Sequence, residues 1–271
     1  MISLPKLDTI SHHVKSLQAL TSTILRGGRG NMGPAHPIMP DKMLVLYEHE
    51  ACPYCRRVRE VMTHLNLDYE SRPSPHKGQV YRDELKAMTG KTQVPYLIDE
   101  NTNTQLLESQ DIIDYLYAHY SKQGSTPKRY RVANGDGASL SNKLASVASM
   151  LRGVKAAHPK QNKARGKPEQ LLELYSFEAS PYSRLVREKL SQLEVGFINR
   201  NVARERLQDN GLPGLHLTLG KYQPIKGGKR DRIMTEVMQG KLQFPYLIDP
   251  NTNTTMFESR AIIEYLDKTY G

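Results

Sequence analysis

Residues 94–116 read VPYLIDENTNTQLLESQDIIDYL, and residues 244–266 read FPYLIDPNTNTTMFESRAIIEYL. The two are identical at about two positions in three, which over this length marks an internal repeat. A second phrase repeats upstream. ACPYCRRVRE at 51–60 answers to ASPYSRLVRE at 179–188, with both sulfurs replaced by hydroxyls. The upstream pair is offset by 128 residues and the downstream pair by 150, so the second copy holds about 22 additional residues. They fall in the Gly, Pro and Lys-rich stretch from about Glu205 to Arg230, which reads as an exposed loop.

The repeat also reaches backwards. LQALTSTILRGGRG from Leu17 and LASVASMLRGVKAA from Leu144 both carry the spacing of an amphipathic helix that ends in Leu-Arg-Gly. The chain therefore divides into a leading helix and linker (1–42), a first domain (43–120), a basic linker with its own helix (121–170) and a second domain (171–271).

Within the first domain MLVLYE is a short apolar strand, and Pro53 to Leu65 has helical periodicity, with Val58, Val61, Met62 and Leu65 on one side. A strand near Asp68 to Ser71 follows, then a helix from about Gln79 to Met88. PYLID and TQLLE form a hairpin across ENTN, and Ser109 caps a final helix running to Tyr120. The order βαβαββα puts a crossover pair first and a hairpin last. The expected fold is α/β: two tandem domains, each a mixed sheet with helices on its faces and each preceded by an extra helix.

At 271 residues and 38% hydrophobic, the chain can build real cores. It carries no apolar run of membrane-spanning length and no secretory start, so the expected location is the cytoplasm, with no membrane partner. Met1 to Gly33 is acid-poor and Ser/Thr-rich in the manner of an organellar address. It has little Arg, however, and its pattern recurs later in the chain. The formal charge of +10 is concentrated between Ser121 and Gln170, where eleven basic residues face only Asp136 and Glu169. Tyr130 is the lone aromatic there, which gives no stacking platform for bases, so a solvated linker is preferred to nucleic-acid binding.

Cys52 and Cys55 are the only cysteines, which excludes a disulfide framework. Pro53 at the first helical position would place Cys52 at the helix N-terminus. There the backbone N–H groups and the dipole favour a thiolate, and Arg56 and Arg57 would add positive potential. Cys55, one turn on and deeper, would resolve a mixed disulfide formed by Cys52. Two cysteines at this spacing also ligate zinc, but there is no second Cys pair and no finger-spaced His pair. His49 and His76 read as surface histidines, and no metal is expected.

Cys-Pro-Tyr-Cys after a strand, Val94-Pro95 before the hairpin and Glu108-Ser109 at the start of the next helix resemble the thioredoxin-fold domain shared by glutaredoxins and the N-terminal half of glutathione S-transferases. The resemblance covers about 75 residues in each copy. It implies that Pro95 is a cis-proline beside the active cysteine and that the Val94 backbone pairs with the cysteinyl part of glutathione. It further implies that Glu108 and Ser109 hold the γ-glutamyl end and that Tyr54 lines the groove. Two departures stand out: His49 and Glu50 replace the Lys that usually precedes the glutaredoxin motif, and the transferases' all-helical domain does not follow the second copy.

The second copy keeps Pro181, Tyr182, Phe244, Pro245, Glu258 and Ser259 but has Ser180 and Ser183 for the thiols. A scaffold, an unreactive glutathione-binding domain, or a serine that hydrogen-bonds a bound glutathione thiolate are the readings open to it. For the whole chain the resemblance implies a glutathione-linked thiol-disulfide oxidoreductase. Glutathione would be its co-substrate, and disulfides or glutathionylated proteins its substrates. The alternatives are transferase-like conjugation and a non-catalytic glutathione or iron–sulfur module. The sequence does not fix the oligomeric state or the packing of the two domains.

Overall fold

The structure is a computed structural model that describes residues 7–131, 140–152, 154, 168–209, 211–212, 215–216 and 223–271. A leading helix α1 (Leu7–Leu25) precedes β1 (Leu44–Glu48), α2 (Pro53–His64), β2 (Tyr69–Pro73), α3 (Val80–Thr89), β3 (Tyr96–Asp99), β4 (Thr104–Leu106) and α4 (Ser109–Tyr120). A second leading helix α5 (Leu140–Leu151) precedes β5 (Leu172–Ser176), α6 (Pro181–Leu193) and β6 (Phe197–Asn201). Then come a small hairpin, β7 (Gly211–Leu212) and β8 (Leu215–His216), and α7 (Lys229–Arg232), which runs into a π-helical turn at Ile233–Val237. The chain closes with β9 (Tyr246–Asp249), β10 (Thr254–Phe257) and α8 (Ser259–Tyr270). These are two thioredoxin-fold units in tandem, as the repeat predicts.

In each unit the strands alternate between two cores. Leu44, Leu46 and Leu97 point into a cluster with Val58, Val61 and Met62 of α2 and with Ile112, Ile113 and Leu116 of α4, while Tyr47 and Tyr96 pack on the other face against Tyr81 and Leu85 of α3. The second unit repeats this with Leu172, Leu174 and Leu247 against α6 and α8. The repeated NTNT turn has a shared anchor. Tyr115 and Tyr120 donate to Asp99 Oδ2 at 2.7 and 2.5 Å, and Tyr265 and Tyr270 donate to Asp249 Oδ2 at 2.6 Å each.

The two sheets are one. β2 pairs antiparallel with β6, Glu70 opposite Ile198, so the strands run β10-β9-β5-β6-β2-β1-β3-β4 in a single eight-stranded sheet. Joining the two open edges removes the unpaired N–H and C=O groups that each would present to other chains. Over this seam lies a buried ion network. Glu178 accepts from Arg59 at 3.0 Å and Arg187 at 2.8 Å, and Glu50 faces Arg187 at 3.1 Å and Arg59 at 3.3 Å, a two-fold arrangement of the two Glu-Ala-x-Pro-Tyr phrases. Glu48 adds a further contact to Arg59, and all of these side chains are at most 4% exposed. Farther from the seam Glu194 of the second unit accepts from the Gln79 and Val80 amides, placing a carboxylate at the N-terminus of α3 in the first.

The leading helices cross over: α1 packs on α6 of the second unit, α5 packs on α2 of the first, and the two helices pack on each other. Arg26 at the end of α1 reaches back to its own unit and holds Glu60 through Nε and Nη2 at 2.8 and 2.6 Å, and Arg152 at the end of α5 holds Glu188 in the same way.

Three sequence expectations change. Ser109 is the first residue of α4 and does not cap it; Glu108 is the N-cap, without a side-chain cap bond, and the Ser109 hydroxyl accepts from Arg57 instead. The stretch from Glu205 to Arg230 is anchored at its base, because Asp209, Lys229 and Arg230 are buried. Arg230 donates to the Val202 and Ala203 carbonyls, and Lys229 Nζ reaches Asp68 Oδ1 of the first unit at 2.6 Å. The linker is not simply solvated: Thr126 and Tyr130 are buried and α5 is packed. Residues 132–139, 153 and 155–167 lie outside the described residues, and Lys155, Lys160, Lys163, Arg165 and Lys167 with them.

Candidate active site

The turn from β1 into α2 delivers Cys52 to the N-cap, with extended backbone and Pro53 at the next position. Its sulfur accepts from the Cys55 amide at 3.3 Å and lies 4.0 Å from the Val94 carbonyl oxygen. The Val94-Pro95 bond is cis, as is Phe244-Pro245. The Cys52 thiol is held below its ordinary pKa. The Cys55 side chain, hydrogen-bonded to it, is the largest cause; burial opposes this, and the Cys55 and Tyr54 amides and the Arg59 guanidinium assist. Cys55 is wholly buried and its thiol is pushed well up by burial, by its bond to Cys52 and by the negative charge of Cys52 and Glu48.

The cation that acts on the pair is therefore Arg59, two turns along α2. The sequence had pointed to Arg56 and Arg57, but Arg56 is turned to Glu60 at 3.2 Å, and Arg57 donates to Ser109 Oγ at 3.1 Å and to Gln110 Oε1 at 2.5 Å. Arg57 instead puts positive charge at the N-terminus of α4, beside the exposed Glu108, whose carboxylate accepts from Gln93 at 2.8 Å. Tyr54 is 40% exposed next to the Cys52 sulfur's helix turn. Cys52, Val94, Pro95 and Tyr54 thus gather at one end of the sheet, with Glu108 and Ser109 on the adjoining helix start.

In the second unit Ser180 is the N-cap of α6 and its hydroxyl accepts from the Ser183 amide at 3.2 Å. Gln243 pairs with Glu258 as Gln93 does with Glu108. The start of the last helix differs. Leu185 stands where the first unit has Arg57, and His12 of α1 contacts Ser259 Oγ at 2.9 Å. Gln93, Arg59 and His12 escaped the sequence reading, and Arg57 was named there for the thiol rather than for the start of α4. Gln93 and Arg59 were detectable, because both copies keep a Gln two residues before the proline and the Val-Arg-Glu triplet; nothing in the sequence marked His12.

A sequence profile described as Glutathione S-transferase, N-terminal domain matches residues 46–125 and again 174–271, together more than half of the chain. The chain belongs to this family. Comparison with curated proteins and with solved structures gave no match. Glutathione S-transferase N-terminal domains bind glutathione generally. Among the described residues no cluster of His, Cys, Asp or Glu could hold a metal ion, and no helix is long and apolar enough to cross a membrane.

Proposed function

We propose that the chain is a glutathione-linked thiol-disulfide oxidoreductase acting through Cys52. The observation that carries this reading is the pair of unequal thiols, with Cys52 depressed in pKa at a helix N-terminus beside Val94 and Cys55 raised and fully buried behind it. The Cys52 thiolate attacks the glutathione sulfur of a mixed disulfide. The S–S bond breaks, the substrate thiolate leaves and takes a proton from solvent, and Cys52 carries the glutathionyl group. A second glutathione thiolate then attacks that sulfur, oxidised glutathione leaves, and the Cys52 thiolate returns, so each turn consumes one reduced glutathione and releases the substrate's glutathionyl group as half of the oxidised dimer. Cys55, held as a thiol, is the slower resolving group.

In this reading the Val94 backbone pairs with the cysteinyl residue of glutathione, Glu108 takes the γ-glutamyl ammonium, and the start of α4 takes its carboxylate, helped by Arg57 against Ser109. The second unit is a scaffold. Its Glu178 holds Arg59, while Ser259 is already engaged by His12. Location in the cytoplasm belongs to the same proposal.

The test is glutathione-dependent reduction of a small mixed disulfide by the wild type, Cys52→Ser and Cys55→Ser, alongside a glutathione titration. Turnover should vanish in Cys52→Ser and persist in Cys55→Ser, with one glutathione bound per chain. Full activity in Cys52→Ser would sink the proposal, and conjugation of an electrophile lost only in Ser180→Ala would move the chemistry to the second unit.

A further inference from the structure

The two leading helices are inside out. On α1 the residues turned into the protein are Ser16, Ala19 and Ser22, with Arg26 just past its end, and on α5 they are Asn142, Ala145, Ser146 and Ser149, all at most 5% exposed. The large apolar side chains face away. Val14, Leu17, Ile24 and Leu25 of α1 and Leu140, Leu144, Val147, Met150 and Leu151 of α5 are between 37% and 83% exposed. They are nine of the fourteen large hydrophobic side chains exposed among the described residues, so the exposed apolar surface is concentrated on these two helices, which pack on each other.

Small inner residues explain how α1 and α5 approach the sheet helices so closely. Ser149 and the Ala145 carbonyl accept from the buried Arg184, and the Thr23 hydroxyl donates to the Ala179 carbonyl. They do not explain the outer stripes. Leu140, Leu144, Val147 and Leu151 fall at i, i+4, i+7 and i+11, the spacing of a face built to be covered. Contiguous apolar patches of several hundred Å² often mark interaction surfaces.

We propose that this face is the contact between two copies of the chain, α1 and α5 of one against α1 and α5 of the other. The exposed fractions add up to about five complete side chains, on the order of 500 Å² of apolar surface at roughly 100 Å² each. A standard interface buries about 800 Å² per partner, about 60% of it non-polar, so the face supplies the apolar share of one stable dimer. Its form also suits a second copy. α1 and α5 are repeats of one another, so the face is nearly two-fold symmetric and meets the self-complementarity that an isologous contact demands. Its described exposed side chains include no aromatic anchor, and Lys15 and Lys143 are their only charges; both can swing to the rim, which favours a protein copy over a lipid surface.

The test is the mass of the full chain in solution, by sedimentation equilibrium, for the wild type and for Leu17→Glu combined with Leu144→Glu. The wild type should have twice the chain mass. The double variant should have the mass of one chain, its dissociation constant weakened roughly a hundredfold or more, with an unchanged far-ultraviolet circular-dichroism spectrum because both positions are exposed in the single chain. Ile24→Lys with Val147→Lys repeats the test should the first pair fail to fold. A wild type that stays monomeric at every concentration overturns the proposal, as does a dimer that survives these changes. A monomer that co-sediments with phosphatidylserine-containing vesicles overturns it in favour of a lipid surface.

Discussion

Glu178→Gln removes one negative charge from the seam while keeping the side chain's shape. In the wild type this carboxylate is 1% exposed and meets three guanidinium groups, Arg187 at 2.8 Å, Arg59 at 3.0 Å and Arg56 at 3.7 Å. Burial alone would raise its pKa, but those arginines overcome it and hold the group at about 2, against an ordinary value of 4.5. That difference corresponds to about 3 kcal/mol at neutral pH. Removing one partner of a buried ion pair costs about 3–5 kcal/mol, so two independent arguments agree in size. For a chain of this length about 3 kcal/mol lowers the unfolding midpoint by roughly 6–12 °C. The sign of the pH dependence follows from the depressed value. Glu178 stabilises the fold fully above its ordinary pKa of 4.5, and the contribution is lost as pH falls towards about 2. Thermal unfolding of wild type and variant at pH 7, 5 and 3 should show a gap that narrows with acidity. A gap that is absent at pH 7, or constant across that range, would refute the view that the seam is held by charge.

Two further predictions concern other ionisable groups. Arg59→Met removes a cation that favours the Cys52 thiolate, so alkylation of Cys52 by iodoacetamide should reach half its maximal rate at a higher pH than in the wild type; an unmoved midpoint would show that Arg59 serves the seam alone. His64, packed against Tyr117 and Tyr130 and lowered to about 4 by burial and then by Arg129, should stay neutral through pH 5 in a ring-proton NMR titration. With a depressed folded value it supports the fold when neutral, so stability should fall as pH drops from about 6.5 towards 4, and a midpoint near 6.5 would contradict its burial.

The repeat and the βαβαββα order were legible because strand alternation, helix periodicity and turn residues all agree in both copies, and each copy tests the other. The seam was not. Glu50, Arg59, Glu178 and Arg187 look like the charged face of an exposed helix and its preceding turn, and pattern rules place such residues in water. Only the joining of β2 to β6 buries them together, and that contact spans well over a hundred residues of sequence. The leading helices show the same limit. Their stripes were visible, but which side faces the protein depends on how closely the neighbouring helices approach, and here Ser16, Ala19 and Ala145 fit where leucines cannot. At the site, the place of Cys52 at a helix start could be read from Pro53 and the preceding strand, and the cis bond before Pro95 was implied by the resemblance, while that before Pro245 was not foreseen. The cation beside the thiol could not, because Arg56, Arg57 and Arg59 differ only in the side of α2 they occupy and in what the second unit sets opposite them.

The most direct measurement is mass spectrometry of the intact chain after brief exposure to oxidised glutathione, followed by peptide mapping. The account predicts one glutathionyl group per chain, on Cys52, removed by reduced glutathione, and none in Cys52→Ser. A chain that takes up no glutathionyl group, or carries it on Cys55 with Cys52 unmodified, would contradict the claim that the helix N-terminus makes Cys52 the reactive thiol.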